Sequence, residues 1–554
     1  MWRTIARLFE EDNPDIRVKL EWVVGDYGQK LPLLMISDTA ADAILMDDEN
    51  YPAYAVRSYL EDLHPYIARQ SDDIERLLAR ELGMDGSQLS EDERDIFASS
   101  IESFTYRGHF GALPWDGFPM LMFYNKDLFD EVGLDYPDPD WTWDDFRAMS
   151  KTLTRDKDGD GYTDTWGANI GFVWLGIQPL VWSYGGRFLT PDRTRAAVMS
   201  PETLAAARLL YDMKHVDHSM PHMTDVQDLL GEVQLLTGRV AMVTAGLYTI
   251  FALEAVPPED AMRWGVAHSP KGPGGERYTR VSWDGISINS ATTPEKKEAA
   301  WKFSKFLLTE EAQRVIAESG RGMPARKSCV TKYFVKEPNI EYKELAVEAI
   351  GYGRLTPITP KYLELRQAMD TEFDPLNQDK NPPPVEVAFA RMEPKINKIL
   401  AEELARWGDG EQLDSETIAQ VPPLRFFLTT LAGVVFMISP VLLIARVRRF
   451  IRLRLHETLH MARGRMARVE AFHGILFASP WLIGLLCFTA GPIIFSIVLS
   501  FSRWDTLEHV DKISFIGFAN FRKALSADPV TGDPLVRKAL WNTFYYAAFA
   551  VPLG

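Results

Sequence analysis

The strongest constraint in this sequence is an uncharged apolar run of twenty residues, Phe426–Ala445. At 1.5 Å per residue, a helix of that length extends about 30 Å, the thickness of the hydrocarbon core of a bilayer. A buried core helix is the alternative, but a core helix of this length normally carries a polar face. The run therefore predicts a transmembrane helix.

The charges behind this run predict which side of the membrane each half occupies. An arginine-rich segment follows Ala445, and Glu457 is its one acid as far as Arg468. Lys and Arg concentrate at the cytoplasmic end of a span, so we expect the chain before Phe426 to lie outside the cell. That placement needs an export signal, and because the chain opens directly on an amphipathic helix, we expect the first strand and the signal to be missing.

Composition narrows the class of partner. The 554 residues carry a formal net charge of −17, and because the segment behind Ala445 is basic, the acidity lies in the N-terminal part. Such a surface disfavours nucleic acid as a partner. Cys329 and Cys487 are the only cysteines, and the second lies in an apolar run, so no disulfide framework is expected.

Alternating apolar residues predict an early sheet. Ile16–Trp22 has the period of a half-buried strand, and Ala41–Asp47 is a second apolar strand that ends in acids. With a helix between them, these strands indicate a parallel α/β sheet. Ligands collect at the carboxyl ends of parallel strands, so Asp47, Asp48 and Glu49 are candidate ligand contacts, with solvated loop acids as the alternative.

Several motifs are more specific. Phe104–Leu134 contains RGHFGALPWDGFPMLMFYNKDLFDEVGL, and WTWDDF, WSYGG, GRVAMVTAGLY, VSWDGISI, PEKKEAAWKFSKFLLTEEAQ and GMPARKS follow in that order. This series resembles the extracellular solute-binding proteins of sugar ABC importers, of the maltose and glycerol-phosphate types. The resemblance covers 1–407. It implies an α/β two-lobed periplasmic-binding-protein fold of type II, with the ligand between the lobes.

The resemblance also implies where the lobes begin and end. The first lobe would comprise about 1–110 and 266–318. The second lobe would comprise about 111–265 and 319–407.

Aromatic residues beside acids are the best candidates for ligand contacts. Sugar rings present a C–H face to an aromatic ring and hydroxyls to charged groups. Trp115-Asp116 and Trp283-Asp284 offer that pairing, each before a glycine, with a packed Trp and a turn-forming Asp-Gly as the alternative. The further candidates are Trp182, Tyr184, Tyr248 and Arg321, of which the first two are equally expected in the core.

A calcium loop is a separate expectation. Asp156, Asp158 and Asp160 occupy positions 1, 3 and 5 of a calcium-loop spacing, and Asp164 occupies position 9. Position 12 is Gly167 instead of the bidentate Glu, so the site would be weak or would use a ligand from elsewhere. The alternative is an acidic turn without a metal. We expect no other cofactor.

The C-terminal part is organised around the membrane. We expect a polar linker at 408–423, the adapter span at 424–445, a basic cytoplasmic segment at 446–473 and all-α transmembrane helices at 475–499 and 541–554. ASPWLIGLLCFTAGPIIFSIVLSFSRWD, FIGFANFRKAL and LWNTFYYAAFAVPLG within 474–554 are similar to the amino-terminal part of sugar ABC importer permeases.

These resemblances imply a receptor fused to the start of its permease. The chain would be a multi-pass protein of the inner membrane with its binding domain outside. Its ligand would be a sugar, oligosaccharide, polyol or glycerol-phosphate compound, and its partners would be a second permease subunit, cytoplasmic ATPase subunits and lipid. A membrane-anchored sugar sensor is the main alternative. A tethered glycosidase using Asp116 and Asp284 is weaker, because no catalytic motif accompanies them.

Overall fold

The computed structural model divides into two units, Met1–Glu411 and Gln412–Gly554. The residues it describes are 1–23, 27–222, 225, 231–257, 261–336, 339–407, 479, 491–503, 513–526 and 537.

Short strands alternate with helices through the first unit. Its strands are β1 (Ala43–Asp47), β2 (Thr105–Tyr106), β3 (His109–Phe110), β4 (Ala112–Pro119), β5 (Leu121–Asn125), β6 (Met242–Ala245), β7 (Trp264–Ala267), β8 (Thr279–Ile288), β9 (Met323–Pro324) and β10 (Gly353–Arg354). Its α-helices are Trp2–Asp12, Tyr27–Ile36, Tyr51–Ala55, His64–Ile67, Asp73–Glu81, Ala98–Ser103, Lys126–Val132, Trp143–Leu153, Trp174–Ser183, Pro201–His215, Gly231–Leu236, Tyr248–Glu254, Pro294–Phe306, Glu310–Glu318, Lys327–Cys329, Ile340–Gly351, Tyr362–Phe373 and Val385–Trp407.

Local sequence explains the elements that flank the site. The helix Lys126–Val132 begins where the Asn125 side chain accepts hydrogen bonds from two backbone N–H groups, and it ends at Gly133 in the left-handed region. β5 ends at the same Asn125, so the strand passes directly into the helix.

The first sheet has the order β1-β8-β4-β9, and β10 also pairs with β8. β8 runs antiparallel to both β1 and β4, and β4 runs antiparallel to β9. The expectation of a parallel sheet is therefore wrong for this sheet, apart from the short β10 pairing. The sequence pattern located β1 but could not indicate that its neighbour comes from more than 200 residues further along the chain.

Ile16–Trp22 does not form the predicted strand. Its backbone pairs with no strand among the described residues, and Trp22 is 66% exposed. Alternation indicates two faces but not a neighbour, and a strand needs a hydrogen-bonding ladder on at least one side.

The second sheet has the order β6-β5-β7, and its pairs are antiparallel. A large apolar core covers it, built from helices that include Trp174–Ser183, Pro201–His215, Tyr362–Phe373 and Val385–Trp407. β4 and β9, whose residues we expected in the second lobe, pair in the first sheet. The chain passes from one sheet to the other between β4 and β5.

The second unit is described in part, as the helix Gly491–Ser500, β11 (Ser502–Arg503), β12 (Ser514–Phe515) and the helix Ala519–Leu525. Within the described residues, no helix combines the length and the apolar character that crossing a bilayer requires. The predicted spans Phe426–Ala445 and 541–554 lie outside the described residues, as does most of 475–499.

Gly117 offers a test of the β4–β8 packing. A Cβ added at Gly117 would lie 2.3 Å from Cε3 of Trp283 and 2.7 Å from the backbone oxygen of Ser282. We expect Gly117→Ala to destabilise the purified protein by about 1–3 kcal/mol, the usual range for overpacking. Gly274→Ala is the matched control, because nothing lies within 4 Å of a Cβ there. Equal midpoints for the two variants in urea unfolding would contradict this packing.

Candidate functional site

One face of β8 carries alternating polar residues. Arg280, Ser282 and Asp284 are two residues apart, so their side chains point to the same side of the first sheet. Val281 and Trp283 point to the other side, where Trp283 packs against Phe97. We call the side that carries Arg280, Ser282 and Asp284 the polar face.

Three aspartates form a row across the polar face. Asp284 on β8 lies directly opposite Asp47 on β1 and directly opposite Asp116 on β4. Opposed residues of an antiparallel pair share a face and have Cβ atoms about 4.5–5.5 Å apart. The β4 register shifts between Pro114 and Asp116, and this irregularity brings Asp116 into the row.

Asp116 and Asp284 influence each other's ionisation. Burial is the main cause that raises the pKa of both carboxyl groups. The neighbouring Asp284 raises the pKa of Asp116 further, while the Arg321 guanidinium lowers it. The Arg321 guanidinium donates to Oδ2 of Asp284 at 2.8 Å. This arrangement can accept hydrogen bonds from a ligand or bind a positive charge.

The loop after β1 adds two more carboxyl groups. Asp48 accepts a hydrogen bond from Oγ of Ser282 at 2.9 Å, and Glu49 accepts one from Arg280. Burial raises the pKa of Asp48 to about 8, against the lowering effect of Arg280 and with support from Glu49. Burial and Glu49 raise the pKa of Asp47 to about 6.

Arg280 also connects the polar face to the helix Trp174–Ser183, which covers the second sheet. Its Nε donates to Oγ1 of Thr356 at 2.9 Å, and that hydroxyl donates to Oε1 of Gln178 at 3.2 Å. Nε2 of Gln178 and the hydroxyl of Tyr362 are buried without a hydrogen-bond partner. Two unused donors beside a buried guanidinium are a place where a ligand acceptor would be stabilised.

An aromatic pair lies beside this polar network. Phe118 stands two residues after Asp116 on β4, and its ring meets that of Tyr248 edge to face at 5.5 Å. Tyr248 is 43% exposed and begins the helix Tyr248–Glu254. Exposed aromatic surface beside hydrogen-bonding groups is what a sugar site requires.

The structure separates the aspartates from their neighbouring tryptophans. Trp115 is fully buried between the Trp2 ring, at 4.8 Å, and the Arg321 guanidinium, at 4.9 Å. Trp283 is fully buried, and its Nε1 donates to Oγ of Ser99. Neither ring exposes a face for stacking, because β4 and β8 turn each Trp away from the Asp that follows it.

Two other candidates lie apart from the row. Trp182 is buried, and Tyr184 packs against the core of the second lobe. The pKa of Tyr184 is raised first by burial, and its charged neighbours are Asp144 and Arg147. Both positions fit the alternative interpretation as core residues.

Arg280, Thr356, Gln178 and Tyr362 were not among the candidates from sequence. For Arg280 a signal was present, since R-V-S-W-D alternates polar and apolar residues through β8. Thr356, Gln178 and Tyr362 have no such signal. Their place depends on how the second lobe packs.

Three of the four predicted calcium ligands come together. Carboxylate oxygens of Asp156, Asp158 and Asp164 lie within 4.8 Å of one another. Asp160 instead accepts a hydrogen bond from the Tyr162 backbone at 2.8 Å. Carboxylate oxygens are the ligands that Ca²⁺ prefers, so these three residues fit the ion and would hold it.

Calcium binding stays a prediction. We expect millimolar Ca²⁺ to raise the melting temperature of the protein and Asp156→Asn to abolish that rise, because one of the three carboxylates is lost. Asp92→Asn, an exposed aspartate elsewhere, should leave the rise intact. An unchanged melting temperature on calcium titration would favour an acidic turn without metal.

The pKa of Asp48 generates a second prediction. Its folded pKa of about 8 lies above the ordinary unfolded value of about 3.9. Between these values the folded state binds more protons, so the free energy of unfolding falls as pH rises from about 4 to 8. Asp48→Asn removes this titration, and we expect its unfolding free energy to fall less between pH 5 and pH 8. The same slope in the wild type, Asp48→Asn and the control Asp92→Asn would refute a protonated Asp48.

Comparison with known proteins shows which proteins this chain resembles. The chain is 24% identical over 395 residues to a putative binding protein of Brucella abortus (strain 2308), covering 68% of this chain and 85% of that protein. It is 22% identical over 301 residues to a maltotriose-binding protein of Pyrococcus abyssi (strain GE5 / Orsay), covering 54% and 61%. It is also 36% identical over 93 residues to the probable ABC transporter permease protein YesP of Bacillus subtilis (strain 168), covering 17% and 28%.

Solved structures share the two-lobed periplasmic-binding-protein fold. The ABC substrate-binding protein Lmo0181 of Listeria monocytogenes, in complex with cycloalternan, matches with a TM-score of 0.62 and 25% identity over 72% of this chain and 95% of that one. UgpB of Mycobacterium tuberculosis, in complex with glycerophosphocholine, matches with a TM-score of 0.61 and 19% identity over 73% and 95%. The family model described as bacterial extracellular solute-binding protein matches residues 2–314, and the chain belongs to this family.

Proposed function

We propose that this protein is the substrate-binding component of an ABC importer for a carbohydrate, joined in one chain to the start of its permease. The ligand would be a sugar, an oligosaccharide or a compound of the polyol or glycerol-phosphate type. The Listeria structure, which is a complex with cycloalternan, and the Pyrococcus relative, which is named for maltotriose, support this class.

The observation that carries the proposal is the polar face beside an aromatic pair. Asp284 and Arg321 offer a hydrogen-bond acceptor and a donor at the polar face, and the side chain of Arg321 is 45% exposed. Phe118 and Tyr248 offer apolar ring surface next to them. Arg280 contacts groups of both lobes, so a ligand bound there would favour the closed arrangement by binding it better than the open one.

The permease part rests on separate support. The YesP match and the apolar runs of the C-terminal sequence favour a membrane-embedded segment. The chain would then be a multi-pass protein of the inner membrane, with its binding domain outside the cell. Its partners would be lipid, a second permease subunit and cytoplasmic ATPase subunits. Phe426–Ala445 would let the receptor end outside and the permease begin inside.

The family match favours a binding protein over a glycosidase that uses Asp116 and Asp284. A sensor would need a signalling domain after the membrane, whereas 93 residues of this chain are 36% identical to a probable ABC transporter permease.

A thermal-shift screen tests the substrate class. We expect a carbohydrate from a panel of sugars and polyols to raise the melting temperature of the purified protein. Asp284→Asn should weaken that ligand at least tenfold, because the variant loses the charged acceptor beside Arg321, a loss of about 1.4 kcal/mol.

Asp92→Asn serves as the control and should bind like the wild type. Stabilisation by amino acids or peptides, with no response to carbohydrate, would overturn the assignment.

A further inference from the structure

The polar face is open to solvent at one end and buried at the other. At the open end the side chain of Arg321 is 45% exposed, and Tyr248, further along the face, is 43% exposed. At the other end Arg280 is 5% exposed, and Gln178 is fully buried. A ligand on this face would therefore have one end enclosed by protein and the other end in contact with water.

The strand register sets the order of groups between these two ends. Phe118, whose ring contacts Tyr248, lies opposite Ser282 and hence between Asp284 and Arg280 along β8. At about 3.4 Å per residue, Asp284 and Arg280 are about 14 Å apart along the strand. This length exceeds that of a single sugar ring, so the face is long enough for more than one sugar unit in a row.

The buried end holds a hydrogen-bond donor that the protein itself leaves unused. Oε1 of Gln178 accepts a hydrogen bond from Oγ1 of Thr356 at 3.2 Å, and that hydroxyl in turn accepts one from Arg280. Nε2 of Gln178 is buried and has no hydrogen-bond partner among the described residues. Most buried polar side-chain atoms in proteins are hydrogen-bonded. An acceptor atom on a bound ligand would supply the missing partner.

Glu49 supplies an acceptor at the same end. It accepts a hydrogen bond from Arg280, and its side chain is 12% exposed. Burial raises the pKa of the Tyr362 phenol, and the neighbouring Glu49 carboxylate raises that pKa further. A carboxylate has lone pairs for more than one donor. The buried end therefore offers both a donor and an acceptor to a ligand.

A free hydroxyl group fits this combination better than the other oxygens of a sugar. A hydroxyl can accept from Nε2 of Gln178 and donate to Glu49, whereas a glycosidic or methylated oxygen has no proton to donate. Thr356 and Tyr362 are each 1% exposed, so protein also encloses the space behind these groups. A sugar chain could not continue past this point.

The two partners of that hydroxyl come from different parts of the fold. Gln178 lies on the helix Trp174–Ser183, which covers the second sheet, and Glu49 follows β1 of the first sheet. Hinge closure around a ligand is the usual motion of two-lobed binding proteins. A terminal hydroxyl can therefore enter while these parts are apart and become enclosed when they meet.

We infer that the polar face binds an oligosaccharide by one end. The terminal unit, with a free hydroxyl, lies against Gln178 and Glu49, and the next unit lies beside the rings of Phe118 and Tyr248. Gln178 is the specificity-determining residue. This inference rests on the proposed function and narrows it to open-chain oligosaccharides, so that cyclic and end-blocked saccharides are excluded.

The test is titration calorimetry on the full chain in detergent. The probes are mono-, di- and trisaccharides of glucose, galactose and mannose in α-1,4, α-1,6 and β-1,4 linkage. Cycloalternan and α-cyclodextrin serve as saccharides without ends, and sorbitol and glycerophosphocholine represent the polyol and glycerol-phosphate types. Each trisaccharide that binds is compared with a form methylated on the hydroxyls of its reducing unit and a form methylated on those of its non-reducing unit.

We expect methylation of one end to weaken binding at least tenfold, because a site built to hydrogen-bond a hydroxyl rejects an analogue that lacks it. Methylation of the other end should change the affinity by less than about threefold, and the cyclic saccharides should not bind. The end at which methylation matters identifies the unit that is buried.

Gln178→Glu locates the effect. The carboxylate still accepts from Thr356 but has no N–H to donate, and we expect it to bind the trisaccharide at least tenfold more weakly. Methylation of the critical end should then change the affinity by less than about threefold, because the contact that it blocks is already lost. A residue that only held the fold would not couple to one end of the ligand. Gln88→Glu, at an exposed glutamine, is the matched control and should bind like the wild type.

Equal binding of cyclic and open-chain saccharides, or of both methylated forms, would overturn the inference and leave carbohydrate binding intact. A monosaccharide, polyol or glycerol-phosphate compound that binds as tightly as any trisaccharide would do the same. A full effect of methylation in Gln178→Glu would overturn the role of Gln178. The wild-type series decides the inference even if that variant does not fold, as its melting temperature will show. No binding of any probe would overturn the proposed function itself.

Discussion

The antiparallel pairing of β8 with β1 and β4 is the constraint on which the rest of the site depends. It brings residues from near the start of the chain, from its second hundred and from its third hundred to one level of one sheet. Asp47, Asp284 and Asp116 are neighbours because of this strand pairing. The energy for holding them together comes from the apolar side of the sheet, where buried Trp283 contributes ring packing and a hydrogen bond.

The same strand pairing explains why buried acidic side chains lie side by side on the polar face. Burial and neighbouring carboxylates raise the pKa of Asp47 to about 6 and of Asp48 to about 8, so each acid is held in a less favourable state than in water. Arg280 and Arg321 offset part of this cost. Sites of this kind, strained by their own charges, are typical of binding positions more than of structural cores.

Sequence predicted the elements of this fold better than their arrangement. Motif order along the chain indicated a solute-binding protein, and the family match over residues 2–314 confirms it. Local patterns placed β1 and the helix that starts at Lys126. The predicted parallel direction was wrong, because alternation within β1 carries no information about its partner β8, which lies about 240 residues further along the chain.

The candidate site shows the same limit. Sequence selected Asp48, Asp116, Asp284, Tyr248 and Arg321. The structure places Asp116 and Asp284 in the row, and Asp48 and Arg321 beside it. It also selected Trp115 and Trp283, whose rings are buried. Adjacent residues of a strand face opposite ways, so a Trp-Asp pair in a strand cannot present both side chains to one ligand. The prediction placed each Trp-Asp pair in a loop, where this alternation of side chains does not apply.

The close approach of Gly117 to Trp283 has a consequence for folding. Because side chains alternate, sliding β4 by one residue against β8 would place Phe118 or Asp116 over the Trp283 ring, where only a missing side chain fits. Such a slip would also move the carboxyl groups to the wrong side of the sheet. Gly117 therefore favours the native register, because an incorrectly paired β4 would clash with the Trp283 ring.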